Sequence, residues 1–283
     1  MKIGVGSLPS KSAPSGFRIC EAPQSHFQNR PPFLNLFDGT VCGNISKRKR
    51  KYFKEDSHML IYNATLVTWE TENRVIPNYA LRIDGKTICE IGPSAELLAK
   101  YPSEEKIDAE EKIVMPGQIC AHTHFYGAFS RGMAIPGRPA KDFPEILNNL
   151  WYKLDRALDP ESVRLSAELL TVNAVRNGCT ALFDHHASPD AIDGSLDVIE
   201  DVIDKSGIRA ALCYEVTDRN GKDGAKAGIR ENVRFLTRLK NGGNLDGRLG
   251  GLFGIHACLS VDDDTLADCA ASNPGDFGFH IHV

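Results

Sequence analysis

The sequence predicts an α/β protein built on a parallel sheet, with a small β-rich subdomain ahead of it. Three observations carry this expectation. Beyond residue 111, near-continuous apolar runs alternate with longer amphipathic stretches, the signature of strands covered by helices on their faces. Five such strands are expected, and four of them end in histidine. The chain has 283 residues, 42% hydrophobic and 25% charged, enough apolar material for one large domain or two small ones.

Residues 1–58 are expected to be a disordered basic extension. They hold ten Lys/Arg against four Asp/Glu, and scattered Pro, Ser, Gly and Asn give no helical or strand period. The other 225 residues carry 23 Lys/Arg against 33 Asp/Glu, so only the head of the chain is basic. Its cluster Lys47-Arg48-Lys49-Arg50-Lys51 reads either as a nuclear-localisation or nucleic-acid patch or as a solvated charge run. The acidic remainder argues against a nucleic-acid partner. Met1-Lys2-Ile3-Gly4-Val5-Gly6-Ser7 turns polar too soon for a signal peptide, and no run of about 18 apolar residues offers a membrane span. The eight cysteines are dispersed without Cys-x-x-Cys spacing, which suits reduced, mostly buried thiols. A cytoplasmic protein is therefore expected, with a nuclear location through Lys47–Lys51 as the alternative.

Residues 59–110 show strand-like alternation at 60–68 and 79–91, with Asp84-Gly85 as a hairpin turn. Residues 111–283 hold the regular alternation. The apolar run 113–121 leads, after Pro116-Gly117, into His122-Thr123-His124. A helix is expected at about 161–177, with Asp159 as N-cap, Pro160 at its first turn and Gly178 as its stop. A strand at 179–186, a helix at about 191–206 closed by Gly207 and a strand at 208–216 follow. Then come a helix near 225–240, a strand at 248–256, a shorter helix from Asp262 and a last strand at 277–283.

Side chains at i and i+2 leave a strand on the same side, so His122 and His124 form a pincer suited to zinc or iron. Alone, such a pair is more often an ordinary polar strand end than a metal site. Seven of the nine histidines, however, fall at the ends of predicted strands: His122, His124, His185, His186, His256, His280 and His282. The C-terminal mouth of a parallel barrel is where active sites assemble, and the seven read as one site.

Met115-Pro116-Gly117 leading to His122-Thr123-His124, then Ser130-Arg131-Gly132, resembles the amidohydrolase superfamily. Asn177-Gly178-Cys179-Thr180 into Phe183-Asp184, Gly254-Ile255-His256-Ala257 and Phe279-His280-Ile281-His282 follow the order of that family's later motifs. The branch it is most similar to holds guanine, methylthioadenosine/S-adenosylhomocysteine and chlorotriazine deaminase-like hydrolases, including aminohydrolases associated with selenium metabolism. The resemblance covers about Met59 to Val283. It implies the first five strands of a (β/α)8 barrel at 111–283, with part of a β-sandwich subdomain at 59–110.

The resemblance also assigns roles. His122, His124 and His282 match metal ligands, and His256 matches a substrate-contacting histidine. Arg131 and His256 would grip a carboxylate or hydroxyl of the substrate, although Arg131 reads equally as a loop arginine capping a helix. His185 and His186 match no ligand; a role behind the ligands or in the substrate pocket and a hydrogen-bonded strand end are equal alternatives. The fourth strand lacks the lysine that bridges two metals in dinuclear relatives, which favours one divalent ion, zinc before iron. The implied reaction is hydrolysis of a non-peptide carbon–nitrogen bond, the deamination of an aminated heterocycle by a water activated at the metal. The implied partners are a small-molecule substrate and, as an open alternative, further copies of the chain. The glutamate that would shuttle the proton, the histidine of strand six and the aspartate of strand eight are expected beyond Val283, so the chain reads as truncated at its C-terminus. The alternative is an inactive remnant or an interaction protein.

Overall fold

The computed structural model describes residues 58–135, 137–275 and 277–283. Residues 1–57, including Lys47–Lys51 and nearly all of the expected basic extension, lie outside the described residues. The rest divides into two compact units.

The first unit comprises residues 58–64 and 77–112. Strands β1 (His58–Val67), β2 (Val75–Asp84), β3 (Thr87–Pro93) and β4 (Glu105–Asp108) lie in the order β3-β2-β1-β4, with helix α1 (Ser94–Lys100) between β3 and β4 in sequence. Asp84-Gly85 forms the expected hairpin: Asp84 pairs Thr87, and Gly85 takes a φ of 54°, which a residue without Cβ adopts at little cost. β1 runs parallel to β4, from Met59↔Glu105 to Tyr62↔Asp108. The small core is Leu60, Ala80 and Leu97, with Tyr62, Leu98 and Tyr101 packed on it.

The second unit comprises residues 65–76 and 113–283. Thr65 and Leu66 of β1 pair in parallel with β5 (Ile113–Val114). Pro116, which has no N–H, and Gly117 then break the chain before β6 (Gln118–Thr123). A Cβ on Gly117 would stand 2.0 Å from Thr180 Cγ2, so the two strands meet here only because the side chain is missing. After a 3-10 turn (Phe125–Ser130) and an irregular helical stretch at 143–157, elements alternate. They are α2 (Pro160–Arg176), β7 (Cys179–His186), α3 (Ser195–Ser206), β8 (Arg209–Tyr214), α4 (Gly221–Lys240), β9 (Leu249–Gly251), β10 (Phe253–Ala257), α5 (Asp263–Ser272) and β11 (Phe279–His282).

Every pairing among β6 to β11 is parallel. β6-β7-β8-β9 form one ladder and β10-β11 another, joined by the bridge Val216↔Ile255. The helices begin where chemistry favours them. Asp159 Oδ1 accepts from Ser162 N at 2.7 Å ahead of Pro160, and Asp262 caps α5 through Thr265 N at 2.9 Å. Helix α3 starts at Ser195, not near 191, because Gly194 sits at φ 82° and its N–H, with that of Leu196, is taken by the Glu231 carboxylate. The core of the unit lies between the sheet and α3 and α4, with Leu182, Leu196, Ile199, Ile203, Leu212, Phe235, Leu236 and Phe253 essentially sealed from solvent. Each such side chain contributes roughly 1.5–3 kcal/mol of burial.

Two further expectations need correction. The predicted strand 248–256 is two strands, because β10 leaves the register of β9 to pair with β11. The thiols are not mostly buried: of the six described, Cys213 and Cys269 are buried, Cys120 and Cys179 half-buried, Cys89 and Cys258 exposed. The last two sit at a strand edge and in a turn, beyond the reach of the apolar pattern. Among the described residues no helix is long and apolar enough to cross a membrane.

Candidate metal centre

Four strands deliver their C-terminal side chains to one place. β6 ends at His122-Thr123 with His124 just beyond, β7 carries His185 next to its end, β10 carries His256 next to its end, and β11 carries His280 and His282. Glu215 follows β8 directly, its N–H bonded to His186 O at 2.7 Å. The ligand atoms of His122, His124 and His282 lie within 4.8 Å of one another, and two further triads, His124/His185/Glu215 and Glu215/His256/His282, overlap with that set.

Ring orientation is set from behind. His124 Nδ1 donates to His185 O at 2.6 Å, and His282 Nδ1 donates to His256 O at 2.9 Å. A carbonyl can only accept, so both rings carry their proton on Nδ1 and turn an unprotonated Nε2 inward. Those two Nε2 atoms face each other at 3.2 Å. Two lone pairs opposed at that distance, with the third imidazole beside them, fit a cation between them, and the second nitrogen of a ligating histidine is ordinarily anchored in this way. The His122 ring lies 5.0 Å from that of His124 and 4.9 Å from that of His282. Burial and the neighbouring histidines pull His124 down to about 4, and burial also lowers His122 and His282, so the three are neutral imidazoles, the form that binds metal.

Consecutive strand residues alternate faces, and this separates His185 from His186. His185 is fully buried beneath the cluster. Its Nε2 donates to Ile255 O at 3.2 Å and His280 O at 3.1 Å, and its Nδ1 pairs with Glu215 Oε2 at 3.2 Å. His186 faces the other way, against Ser188, Tyr126 and Tyr214, and burial lowers it to about 3. Asp184, on the same side as His186, accepts from Phe125 N at 2.8 Å and so fixes the turn that follows His124.

His256 is buried, bonded through Nδ1 to Ser260 Oγ, with its ring 6.2 Å from Tyr152. Ser260 and Tyr152 also border a cleft of about 510 Å³ that includes Asn148, Arg219 and Leu259. Arg131 does not join the cluster. It is exposed after the 3-10 turn and, among the described residues, holds no hydrogen bond or ion pair. Arg219 is the arginine placed at the cleft, its guanidinium 3.9 Å over the Tyr152 ring and paired with Asp155.

Sequence reasoning missed Arg219 and Glu215. Glu215 stands at 3.9 Å from His256 Nε2 and 4.0 Å from Arg219. Burial opposes its ionisation, but the His185 hydrogen bond and the surrounding imidazoles hold its carboxyl down at about 2. The same strand-end criterion that selects the histidines would have found it, since it closes the third apolar run of the barrel region.

Known proteins share this architecture. The 5-methylthioadenosine/S-adenosylhomocysteine deaminase of Bacillus cereus is 28% identical over 208 residues, 74% of this chain and 45% of that protein. In structure, the guanine deaminase of C. acetobutylicum with bound guanine superposes with a TM-score of 0.65 at 16% identity, over 80% of this chain and 53% of that one. The atrazine chlorohydrolase of Arthrobacter aurescens TC1 complexed with zinc gives 0.62 at 19% identity, over 79% and 52%. At such identities the structural likeness speaks to the fold alone, and the chain spans about half the length of the curated relatives it matches. A model of the amidohydrolase family matches residues 113–283, a span that takes in every histidine of the cluster, and the chain therefore belongs to that family.

Proposed function

We propose that the protein is a metal-dependent hydrolase of carbon–nitrogen bonds that deaminates an aminated heterocycle, with residues 113–283 forming the first five strands of a (β/α)8 barrel. The observation that carries the reading is the pair of unprotonated Nε2 atoms of His124 and His282 facing each other at 3.2 Å, with His122 alongside. The donor set is nitrogen-rich and neutral, which suits zinc. When bound, such an ion acts as a Lewis acid and lowers the pKa of a water toward neutrality.

The chain's own residues supply the surroundings. The carbonyls of His185 and His256 hold the ligand rings in one tautomer. His256, steadied by Ser260, presents its Nε2 on the side of Glu215, where a heterocycle seated against Tyr152 in the neighbouring cleft would meet it. A cleft of this size takes a small molecule. The family membership and the deaminases among its relatives favour the hydrolase over an inactive remnant.

The test is zinc content of the purified full chain together with ammonia release from a panel of aminated purines, pterins and triazines. One zinc per chain, lost in His124→Ala along with any ammonia release, is expected. A folded chain that takes up no zinc at micromolar concentration would sink the reading.

A further inference from the structure

We propose that His280 is a positioning residue that fixes the tautomer of His122 through a side-chain relay ending on Cys213, so that the two histidines of β11 divide the labour: His282 faces the ion and His280 holds another ligand in place. The inference rests on the metal-site reading above and concerns the one ligand whose anchor that reading leaves open.

His124 and His282 each rest on a backbone carbonyl. His122 has no such support. Its Nδ1 lies 2.7 Å from His280 Nε2, one imidazole nitrogen against another, so one donates and the other accepts. The direction is decided two bonds away. His280 Nδ1 lies 3.7 Å from Cys213 Sγ, and that thiol donates to Asp184 O at 3.4 Å. A backbone carbonyl only accepts, so the thiol proton points to Asp184 and the sulfur is left to receive a proton from His280 Nδ1–H. His280 Nε2 is then the bare nitrogen and accepts from His122 Nδ1–H. The remaining nitrogen of His122, Nε2, is thereby unprotonated, as it is in His124 and His282.

Each link has its own structural cause. His280 and His282 are two residues apart on β11 and share a side of the strand. Cys213 is fully buried on β8, and burial keeps its thiol well above its ordinary pKa, as the relay requires. His280 is further held by its carbonyl, which accepts from His185 Nε2 at 3.1 Å, and by the His185 ring 4.7 Å away. Cys213, which the apolar pattern marks only as core, thus sets the proton position on a ligand it never touches.

The experiment uses the full chain and two readouts. The first needs no metal: long-range ¹H–¹⁵N correlation spectra of the metal-free protein report which ring nitrogen of His122 carries the proton. Wild type is expected in the Nδ1–H form, and His280→Leu is expected to shift His122 toward Nε2–H. The second is affinity for Zn²⁺ by chelator competition, with the visible spectrum of the Co²⁺ form. His280→Leu should weaken binding about tenfold to a hundredfold, the usual effect of losing such a partner. His280→Gln, which keeps an acceptor, should recover part of that loss, and Cys213→Ser should lie closer to wild type than Cys213→Val. Far-UV circular dichroism on each variant checks the fold, with the Gln variant retaining the test if the Leu variant unfolds. An Nε2–H form of His122 in wild type, or wild-type zinc affinity in both His280 variants, would overturn the proposal. Wild type with the expected tautomer but no zinc uptake would defeat the metal-site reading and leave the relay standing.

Discussion

Replacing Asn232 by leucine removes a clamp on which the mouth of the sheet depends. Beyond β9, whose last pair is Leu212↔Gly251, no strand among the described residues pairs with the outward edge of Tyr214. The fully buried side chain of Asn232, reaching in from α4, takes that place. Its Oδ1 accepts from Tyr214 N at 2.9 Å and more weakly from Gly254 N at 3.4 Å; its Nδ2 donates to Tyr214 O at 2.7 Å and Gly254 O at 3.3 Å. Leucine repeats the branched outline of asparagine with two somewhat bulkier methyl groups, so no cavity opens. Gly254 O keeps its bond from Val216 N, but the N–H and C=O of Tyr214 are left unpaired in the core. Each orphaned backbone group costs about 1–3 kcal/mol, giving a loss of about 2–6 kcal/mol. That is a large share of a typical domain stability of about 5–15 kcal/mol. Urea unfolding followed by circular dichroism measures it, and zinc affinity should fall as well, since Glu215 and His256 lie next to the clamp. A loss below about 1 kcal/mol with an unchanged m-value would refute the argument that a side chain substitutes here for a missing strand.

Two further outcomes follow from the same region. In Gly254→Ala the new Cβ would stand 2.2 Å from Tyr214 O, a backbone atom that cannot yield, so β10 must shift and carry His256 with it; the expected loss is about 1–3 kcal/mol in thermal or urea unfolding, and an unperturbed variant would show that β8 and β10 are less closely opposed. For His186, burial lowers the folded pKa to about 3 from an ordinary 6.5, so below about pH 6.5 the unfolded chain takes up a proton that the folded chain refuses. Its contribution to stability is therefore complete above pH 6.5 and lost as pH falls toward 3, at about 1.4 kcal/mol per pH unit. Measured between pH 7 and 4.5, wild type should lose stability more steeply than His186→Gln by that slope; parallel curves would show that His186 is not held neutral in the core.

The sequence by itself determined the alternation of strand and helix, the Asp84-Gly85 hairpin, the caps at Asp159 and Asp262, and the identity of the clustered histidines. These are local matters: periodicity, turn chemistry and capping depend on residues within a turn or two of each other, and a barrel strand exposes its chemistry at its end. Tertiary structure decided the rest, because it turns on which strand lies beside which. Nothing local distinguishes His185 from His186; the pleat turns one toward the cluster and the other into the core. Nothing local predicts the break at Leu252, which arises where β10 leaves β9 to pair with β11 and Asn232 fills the gap. Arg131 and Arg219 look alike in sequence, yet only Arg219 is brought to the cleft, by Asp155 and Tyr152 far along the chain. The tautomer of His122, too, depends on a thiol 91 positions away in sequence and on the carbonyl that thiol meets, contacts that exist only once β6, β7, β8 and β11 have come together.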